Sequence, residues 1–506
     1  MYLLGIDVGS SFVKASVTDA ETGKVITSAF APEKEMAISV LNPGWAEQDP
    51  ETWWQALAGA VRKCLLSDRS LRGNIGAIGI SYQMHGLVAV DRKLDLIRPS
   101  IIWCDSRAVK YGNAAYDKIG HKHCMANLLN NPGNFTAARL AWMKENEAAN
   151  YAKIYRVMLP GDYIALRLTG EVCTTLTGLS EGIFWDFREH KISDEILDHF
   201  GFDRDLFPDI RPVFSVQGEL GAGVAEFLGL RKGIPVSYRA GDQPNNAFSL
   251  NVMEPGEVAA TAGTSGVLYG VTDRAQTDER SRLNLFAHVN HDKHLMRLGT
   301  LACINGTGIM NAWVRRIAGP GLSYEEMNRM AGTVSPGSEE LTIFPFGNGA
   351  ERLLENIDTG ASFLKLNLNT HTSSHLFRAV QEGIAFAFRY AADIMNEAGT
   401  KISVIRAGKA NMFMSSLFCQ LVADLTGASV LLYDTDGSVG AAGGAGIGCG
   451  YYKNYREALA SLKQVEAIHP EASGTEIYND LYNKWTEKLR HIIASTRILR
   501  NSANSP

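Results

Sequence analysis

The spacing of apolar and polar residues changes period several times along the chain. The first thirty residues carry three short β-rich runs, Tyr2 to Val8, Phe12 to Thr18 and Lys24 to Ala31. They are separated by Gly9-Ser10-Ser11 and Glu21-Thr22-Gly23, turns short enough to join neighbouring antiparallel strands, so a meander is predicted. Asp49-Pro50-Glu51 then reads as a helix start, with a capping carboxylate and proline at the first helical position. Trp53, Leu57, Val61 and Leu65 follow at steps of four, which places one apolar stripe against the meander. Further short β runs at Ile75 to Ile80, Leu87 to Val90 and Ser100 to Trp103 alternate with helical stretches, the pattern of a mixed α/β sheet. At the far end Ile477, Leu481, Trp485, Leu489 and Ile493 step by four and predict a terminal helix with that face inward.

A chain of 506 residues is long for a single core. The run Leu3 to Val13 has an echo in Val258 to Val267, each a strand, a turn of glycine and small hydroxyls, and a strand. Their separation is half the chain, so the expected organisation is two related α/β lobes, residues 1–250 and 251–506.

Composition narrows the function classes. With 45% hydrophobic and 20% charged residues the chain is neither disordered nor fibrous. A net charge of −5 offers no basic surface to a nucleic acid. No apolar run reaches the roughly 18 residues that a membrane helix needs, and the start is strand-like without a basic region or cleavage site. A cytoplasmic protein, with no membrane and no nucleic-acid partner, is expected. The seven cysteines are scattered, without a Cys-x-x-Cys pair, and are expected to be reduced and mostly buried, Cys104 as a small core residue.

Several residues could carry chemistry. A hairpin turn of glycine and small hydroxyls lets backbone N–H groups and Ser or Thr hydroxyls approach a phosphate, and Gly9-Ser10-Ser11 and Gly263-Thr264-Ser265 are two such turns; either can equally be only a tight turn. Asp7, at the carboxyl end of a strand just before the first turn, is placed to hold magnesium through water. Asp242 follows the strand-like run Pro235 to Gly241 and precedes a helix. It can be that helix's N-cap, a carboxylate that accepts a proton from an alcohol during phosphoryl transfer, or both. Ser81 to Gly86, which includes Gln83, Met84 and His85, could line a sugar pocket; Asp105 and Arg107 could hold sugar hydroxyls or form a local ion pair.

Taken in order, these pieces resemble the FGGY family of carbohydrate kinases over nearly the whole chain. Gly5 to Ser11 resembles the family's first phosphate motif, Trp45 to Pro50 the segment after its meander, and Thr261 to Gly266 its second phosphate motif. Gln83-Met84-His85-Gly86 resembles the sugar loop of family members that act on xylulose, and Ile101 to Arg107 a Trp-Asn-Asp-x-Arg stretch with Cys104 in place of Asn. Gly241-Asp242 with Asn245-Asn246-Ala247 is similar to the block that carries the catalytic Asp, with Gln243-Pro244 lengthening the spacing. Departures occur at Arg139, where lysine is usual, at Lys365, where glycine is usual, and at Arg406 to Asn411, where a run of three glycines is common. Asp434 to Ser438 and the small residues to Gly450 resemble the family's closing helix.

The resemblance implies two ribonuclease-H-like lobes of the actin, hexokinase and Hsp70 superfamily with the active site in the cleft, an N-terminal sugar-binding lobe and a C-terminal nucleotide-binding lobe. It implies ATP and Mg2+, and transfer of a phosphoryl group to a ketopentose, D-xylulose at O5. Carried over, Asp242 is the general base, Asp7 the magnesium carboxylate, and Gln83, Met84, His85, Asp105 and Arg107 the sugar contacts. Ser10, Ser11, Lys14, Gly263, Thr264, Ser265, Gly408 and Asn411 are the nucleotide contacts. The partners implied are the sugar and ATP, and a homodimer is left open. The competing readings are a kinase for ribulose, fuculose, rhamnulose, gluconate or glycerol, and, outside the class, an actin-like ATPase module.

Overall fold

The computed structural model describes residues 1–68 and 70–503. The chain forms two compact units, the first made of Met1–Met253, Phe286–Leu298 and Thr435–Leu462, the second of Glu254–Leu285, Gly299–Asp434 and Lys463–Pro506. Residues 286–298 and 435–462, which the sequence places in a contiguous second lobe, therefore lie in the first unit.

In the first unit the meander forms as β1 (Tyr2–Val8), β2 (Val13–Asp19) and β3 (Val25–Ala31). It is extended by β4 (Ile75–Tyr82), β5 (Phe214–Glu219) and β6 (Pro235–Gly241) into a six-stranded sheet of order β5-β6-β4-β1-β2-β3. β1 runs antiparallel to β2 and parallel to β4, and β4 runs parallel to β6. One face is covered by the helix Pro50–Ser67, whose start is capped as expected: Asp49 accepts from the Glu51 amide, and Trp53, Leu57, Val61 and Leu65 are buried.

The opposite face takes the helix Gly437–Gly448, almost wholly glycine, alanine and small residues. Its composition is a packing requirement. A Cβ on Gly5 would lie 1.8 Å from the Ser438 carbonyl oxygen, one on Gly79 2.0 Å from that of Ala441, and one on Gly448 1.7 Å from that of Ser237. This close approach brings the segment into the first unit, and no local sequence pattern announces it. Backbone atoms cannot move aside as a side chain can, so Gly79→Ala is expected to destabilise by at least about 3 kcal/mol, the upper range of overpacking effects, measured by urea unfolding.

The second sheet, which lies in the second unit except for residues 286, 287 and 298 at the ends of two of its strands, repeats the plan. Its strands are β7 (Glu257–Ala262), β8 (Gly266–Thr272), β9 (Asn284–Ala287), β10 (Leu298–Ile304), β11 (Val404–Gly408), β12 (Ser429–Tyr433) and β13 (Gln464–Ile468), in the order β9-β10-β8-β7-β11-β12-β13. β7 is antiparallel to β8 and parallel to β11, β11 is parallel to β12, and β12 is antiparallel to β13. Reading β7, β8, β11, β12 and β13 for β1, β2, β4, β6 and β5 reproduces the first sheet's order and directions, so the weak echo marks a true topological repeat of ribonuclease-H-like α/β architecture.

The terminal helix Ala472–Ala503 buries Trp485 and Leu489 as expected. Ile477, however, is 46% exposed while Tyr478 and Tyr482 join the core. Steps of four overshoot a 3.6-residue turn by about 40° each, so a stripe extrapolated two steps back from Trp485 has rotated off the buried face. Lys365 occupies left-handed backbone at φ 63°, which accounts for glycine being usual there.

Candidate active site

The first unit holds a cavity of about 370 Å³ lined by Asp7, Gly9, Ser10, Ser11, Phe12, Lys14, Gln83, Trp103 and Asp242, within the size range of small-molecule sites. Three strand ends build it. β1 carries Asp7 just before its last residue, Val8, and leads into the turn to β2, β4 ends in the loop containing Gln83, and β6 ends at Gly241. Parallel strands aligned in this way bring residues distant in sequence to one edge of the sheet, where open α/β folds bind ligands.

The turn Gly9–Phe12 is closed by the Gly9 amide donating to the Phe12 carbonyl at 3.0 Å. Gln48 supports it, donating Nε2 to the Ser10 carbonyl at 2.6 Å while its Oε1 accepts from Trp53 Nε1 at 2.9 Å. The segment Trp45 to Pro50 thus braces the turn. Asp7 lies opposite Lys14 on β2 and Ser81 on β4, and accepts from Ser81 Oγ at 2.7 Å. Lys14 is committed elsewhere: its ammonium bonds Asp436 at 2.5 Å, the N-cap of Gly437–Gly448, which also accepts from the Ser438 and Val439 amides. Burial raises the Asp7 carboxyl above its usual range, reinforced by Asp436 and opposed by Ser81 and Lys14.

Asp242 is the first residue of the helix Asp242–Ser249; Gly241 precedes it as N-cap. Asp242 is therefore not the N-cap, although its carboxylate accepts from the Gln243 amide within the first turn. The same side chain lines the cavity. Burial, and then the charge of Asp7, push its carboxyl up to about 7. A base must be deprotonated to accept a proton, so kcat/KM for the acceptor is expected to rise with pH through a midpoint near 7 and to fall about tenfold per pH unit well below it, read from a pH profile between 5 and 9.

The remaining expected sugar residues divide. Gln83 lines the cavity, is 2% exposed, and has neither amide atom partnered within the protein. A buried amide of this kind calls for a ligand. Met84 is buried against Gly241, where an added Cβ would meet its Cγ at 2.6 Å. His85 takes left-handed backbone at φ 65°, shares a 2.9 Å hydrogen bond between Nδ1 and the Glu181 carbonyl, and packs its ring on Phe135 and Phe286.

Asp105 and Arg107, expected as sugar contacts or as a local ion pair, form a buried ion pair and do not line the cavity. Asp105 is fully buried; it accepts from the Ala46 amide at 2.6 Å and from Arg107 Nε at 2.8 Å. The Arg107 guanidinium also pairs with Glu47 at 2.6 Å and lies 3.7 Å from the Trp45 ring centre and 4.7 Å from that of Trp142. A guanidinium held against two indoles that pack edge to face, with two carboxylates, is a rigid strut. Cys104 beside them is exposed, not a core residue.

Two contributors went unassigned in the sequence. Trp103, inside the quoted stretch, lines the cavity with its Nε1 3.4 Å from Ser10 Oγ; an aromatic side chain at a strand end was the available signal. Glu181 is buried at the end of the helix Leu176–Glu181, its Oε2 2.6 Å from where a Cβ on Gly241 would sit. Burial, then the nearby Asp242 and Asp162 charges, hold its carboxyl well above the usual range against the opposing Tyr82 hydroxyl. Its chain position carries no signal.

In the second unit the turn Gly263-Thr264-Ser265 joins β7 to β8. The Gly308 and Ile309 amides donate to the Gly263 and Thr264 carbonyls at 2.9 and 3.1 Å. A Cβ on Gly263 would lie 3.6 Å from Asn411 Nδ2, so these two expected nucleotide residues are neighbours. Gly408 ends β11, the parallel neighbour of β7, and Asn411 follows in left-handed backbone.

Comparison with known proteins bears on both units. Residues 2–249 match the N-terminal domain and residues 258–450 the C-terminal domain of the FGGY family of carbohydrate kinases. The chain is 30% identical to a xylulose kinase of Klebsiella pneumoniae, covering 88% of each chain, and 28% identical to one of Escherichia coli K12, covering 94% of this chain and 96% of the relative. A crystal structure of a xyloylose kinase from Brucella ovis superposes with a TM-score of 0.88 at 26% identity, over 98% of this chain and 100% of that one. With both domains matched and full-length relatives at this identity, the chain belongs to the FGGY family of carbohydrate kinases.

Proposed function

We propose that this kinase transfers the γ-phosphoryl group of ATP to O5 of D-xylulose, with Asp242 as general base. The observation that carries this reading is the cavity itself: a helix-anchored carboxylate with its pKa raised to about 7 shares one pocket with Asp7, a glycine-hydroxyl turn and the unpartnered amide of Gln83. The acceptor follows from the names of the curated relatives matched along nearly the whole chain.

Gln83, Met84 and His85 hold the sugar, and Asp242 accepts the O5 proton as the new P–O bond forms. In the first unit Ser10 and Ser11 offer donors to phosphate; in the second, Gly263, Thr264 and Ser265 offer turn amides and hydroxyls to phosphate, with Gly408 and Asn411 toward a nucleoside. Lys14 would reach a phosphate only by sharing its ammonium with Asp436. Asp7 and Asp242 line the cavity and, among the described residues, neither is in an ion pair, a donor set that suits a cation keeping most of its waters. Asp7 would hold Mg2+ in this way; magnesium when bound offsets charge on the phosphates.

A cytoplasmic location belongs to the same proposal, supported by seven cysteines that form no disulfide among the described residues. Among the described residues no helix is long and apolar enough to cross a membrane. A homodimer rests on the family resemblance alone. The test is ADP release from Mg·ATP across pentuloses, polyols and aldonates. D-xylulose is expected to give the highest kcat/KM; a higher value for ribulose, gluconate or glycerol would overturn the acceptor, and release indifferent to every sugar would favour an ATPase module.

A further inference from the structure

We infer that Arg139 is the positioning residue that sets the separation of the two loops flanking the acceptor. It lies on the helix Thr136–Asn146, is fully buried, and does not line the cavity. Its guanidinium spans the loops. Nη1 donates to the His85 carbonyl at 2.5 Å, and Nη2 donates to the Trp103 carbonyl at 2.9 Å and the Asp105 carbonyl at 3.4 Å. One loop carries Gln83, Met84 and His85, the other the Trp103 ring that faces the same cavity.

The nearest carboxylate, Asp105, is spent on Arg107 and the Ala46 amide. The Arg139 charge is therefore met mainly by carbonyl dipoles, and those dipoles belong to the pocket's two walls. The His85 carbonyl takes a second donor, Thr136 Oγ1 at 2.9 Å. A non-glycine residue in left-handed backbone persists only where its surroundings over-determine it, and these two bonds from one helix turn do so at His85. Only a planar, forked cation reaches the two loops along separate N–H directions; an ammonium is a single point on a flexible stem.

The inference rests on the proposed phosphoryl transfer, and its test separates the two. Wild type, Arg139→Lys, Arg139→Met and Thr136→Val are compared for acceptor KM, ATP KM, kcat and Tm, using whichever sugar the wild type prefers. A wrong acceptor shows in the wild type before any variant is made, whereas failure of this inference shows only in the ratio of variant to wild type. Arg139→Lys is expected to raise acceptor KM at least about tenfold, the loss of one hydrogen bond to a charged group, with ATP KM unchanged and Arg139→Met further impaired. Thr136→Val, which keeps the charge and removes one neutral bond to His85, is expected to raise acceptor KM about threefold and carries the test if both Arg139 variants fail to fold. An unchanged acceptor KM in folded Arg139→Lys, or acceptor and ATP KM rising together in step with falling Tm, would overturn it.

Discussion

Asp242→Ala is expected to lower kcat by about 10²–10⁴-fold, the range for a lost general base, while leaving the fold intact. The side chain projects from the first turn of Asp242–Ser249 into the cavity, so its removal leaves no packing void in the core. The carboxylate does what no neighbour can. Lys14 is bound to Asp436, Glu181 does not line the cavity and burial holds its carboxyl well above the usual range, and the other cavity-lining carboxylate, Asp7, is hydrogen-bonded by Ser81. Asp242→Asn should fall as far, because it keeps the shape and loses the proton acceptor. Steady-state kinetics on protein with wild-type circular dichroism decides it; turnover within about threefold of wild type would remove Asp242 from the chemistry.

Asp162→Leu is expected to cost about 3–5 kcal/mol of stability, the consequence of stranding one member of a buried ion pair. Its partner Arg239 lies on β6 with a fully buried side chain, Nε 3.1 Å from Asp162 Oδ1. The guanidinium's other recorded contacts are to the Cys173 carbonyl at 3.0 Å and its sulfur at 3.6 Å, and neither offsets a charge. Asp162 also accepts from the Leu159 amide and Thr174 Oγ1, each at 3.0 Å, so the start of the helix Pro160–Thr169 loses a cap as well. Pairing the change with Arg239→Met should restore most of the loss, since an apolar pair needs no counter-charge. Urea unfolding of both variants checks this, and a single variant within about 1 kcal/mol of wild type would show that the pair is not needed.

What the sequence made legible was local. The meander, the Asp49 cap and the alternation of strands and helices follow from period and turn chemistry, and β1 and β2 lie where their apolar runs lie. The repeat was detectable because both hairpins turn on glycine and small hydroxyls, Gly9-Ser10-Ser11 and Gly263-Thr264-Ser265. Asp7, Gln83 and Asp242 were legible as candidates because each polar residue ends an apolar strand, and a parallel sheet gathers strand ends at one edge.

The rest depended on contacts between distant segments. The Gly437–Gly448 helix reads locally as a small-residue run, and only the carbonyls of Ser438 and Ala441 pressed on Gly5 and Gly79 show why it belongs to the first unit. Asp105 and Arg107 have the composition of a sugar clamp, but Trp45, Glu47 and Trp142, brought in from elsewhere, make them a strut. Arg139 stood out only as a departure from a lysine, and its reach to two loops is invisible until both are placed.

The most direct test of the account is identification of the product by phosphorus and carbon NMR after incubation of the enzyme with Mg·ATP and D-xylulose. A phosphate ester whose phosphorus splits the C5 carbon, formed in step with ADP and absent with Asp242→Ala, is the result expected. An ester at another carbon, or inorganic phosphate released without any sugar ester, would contradict it.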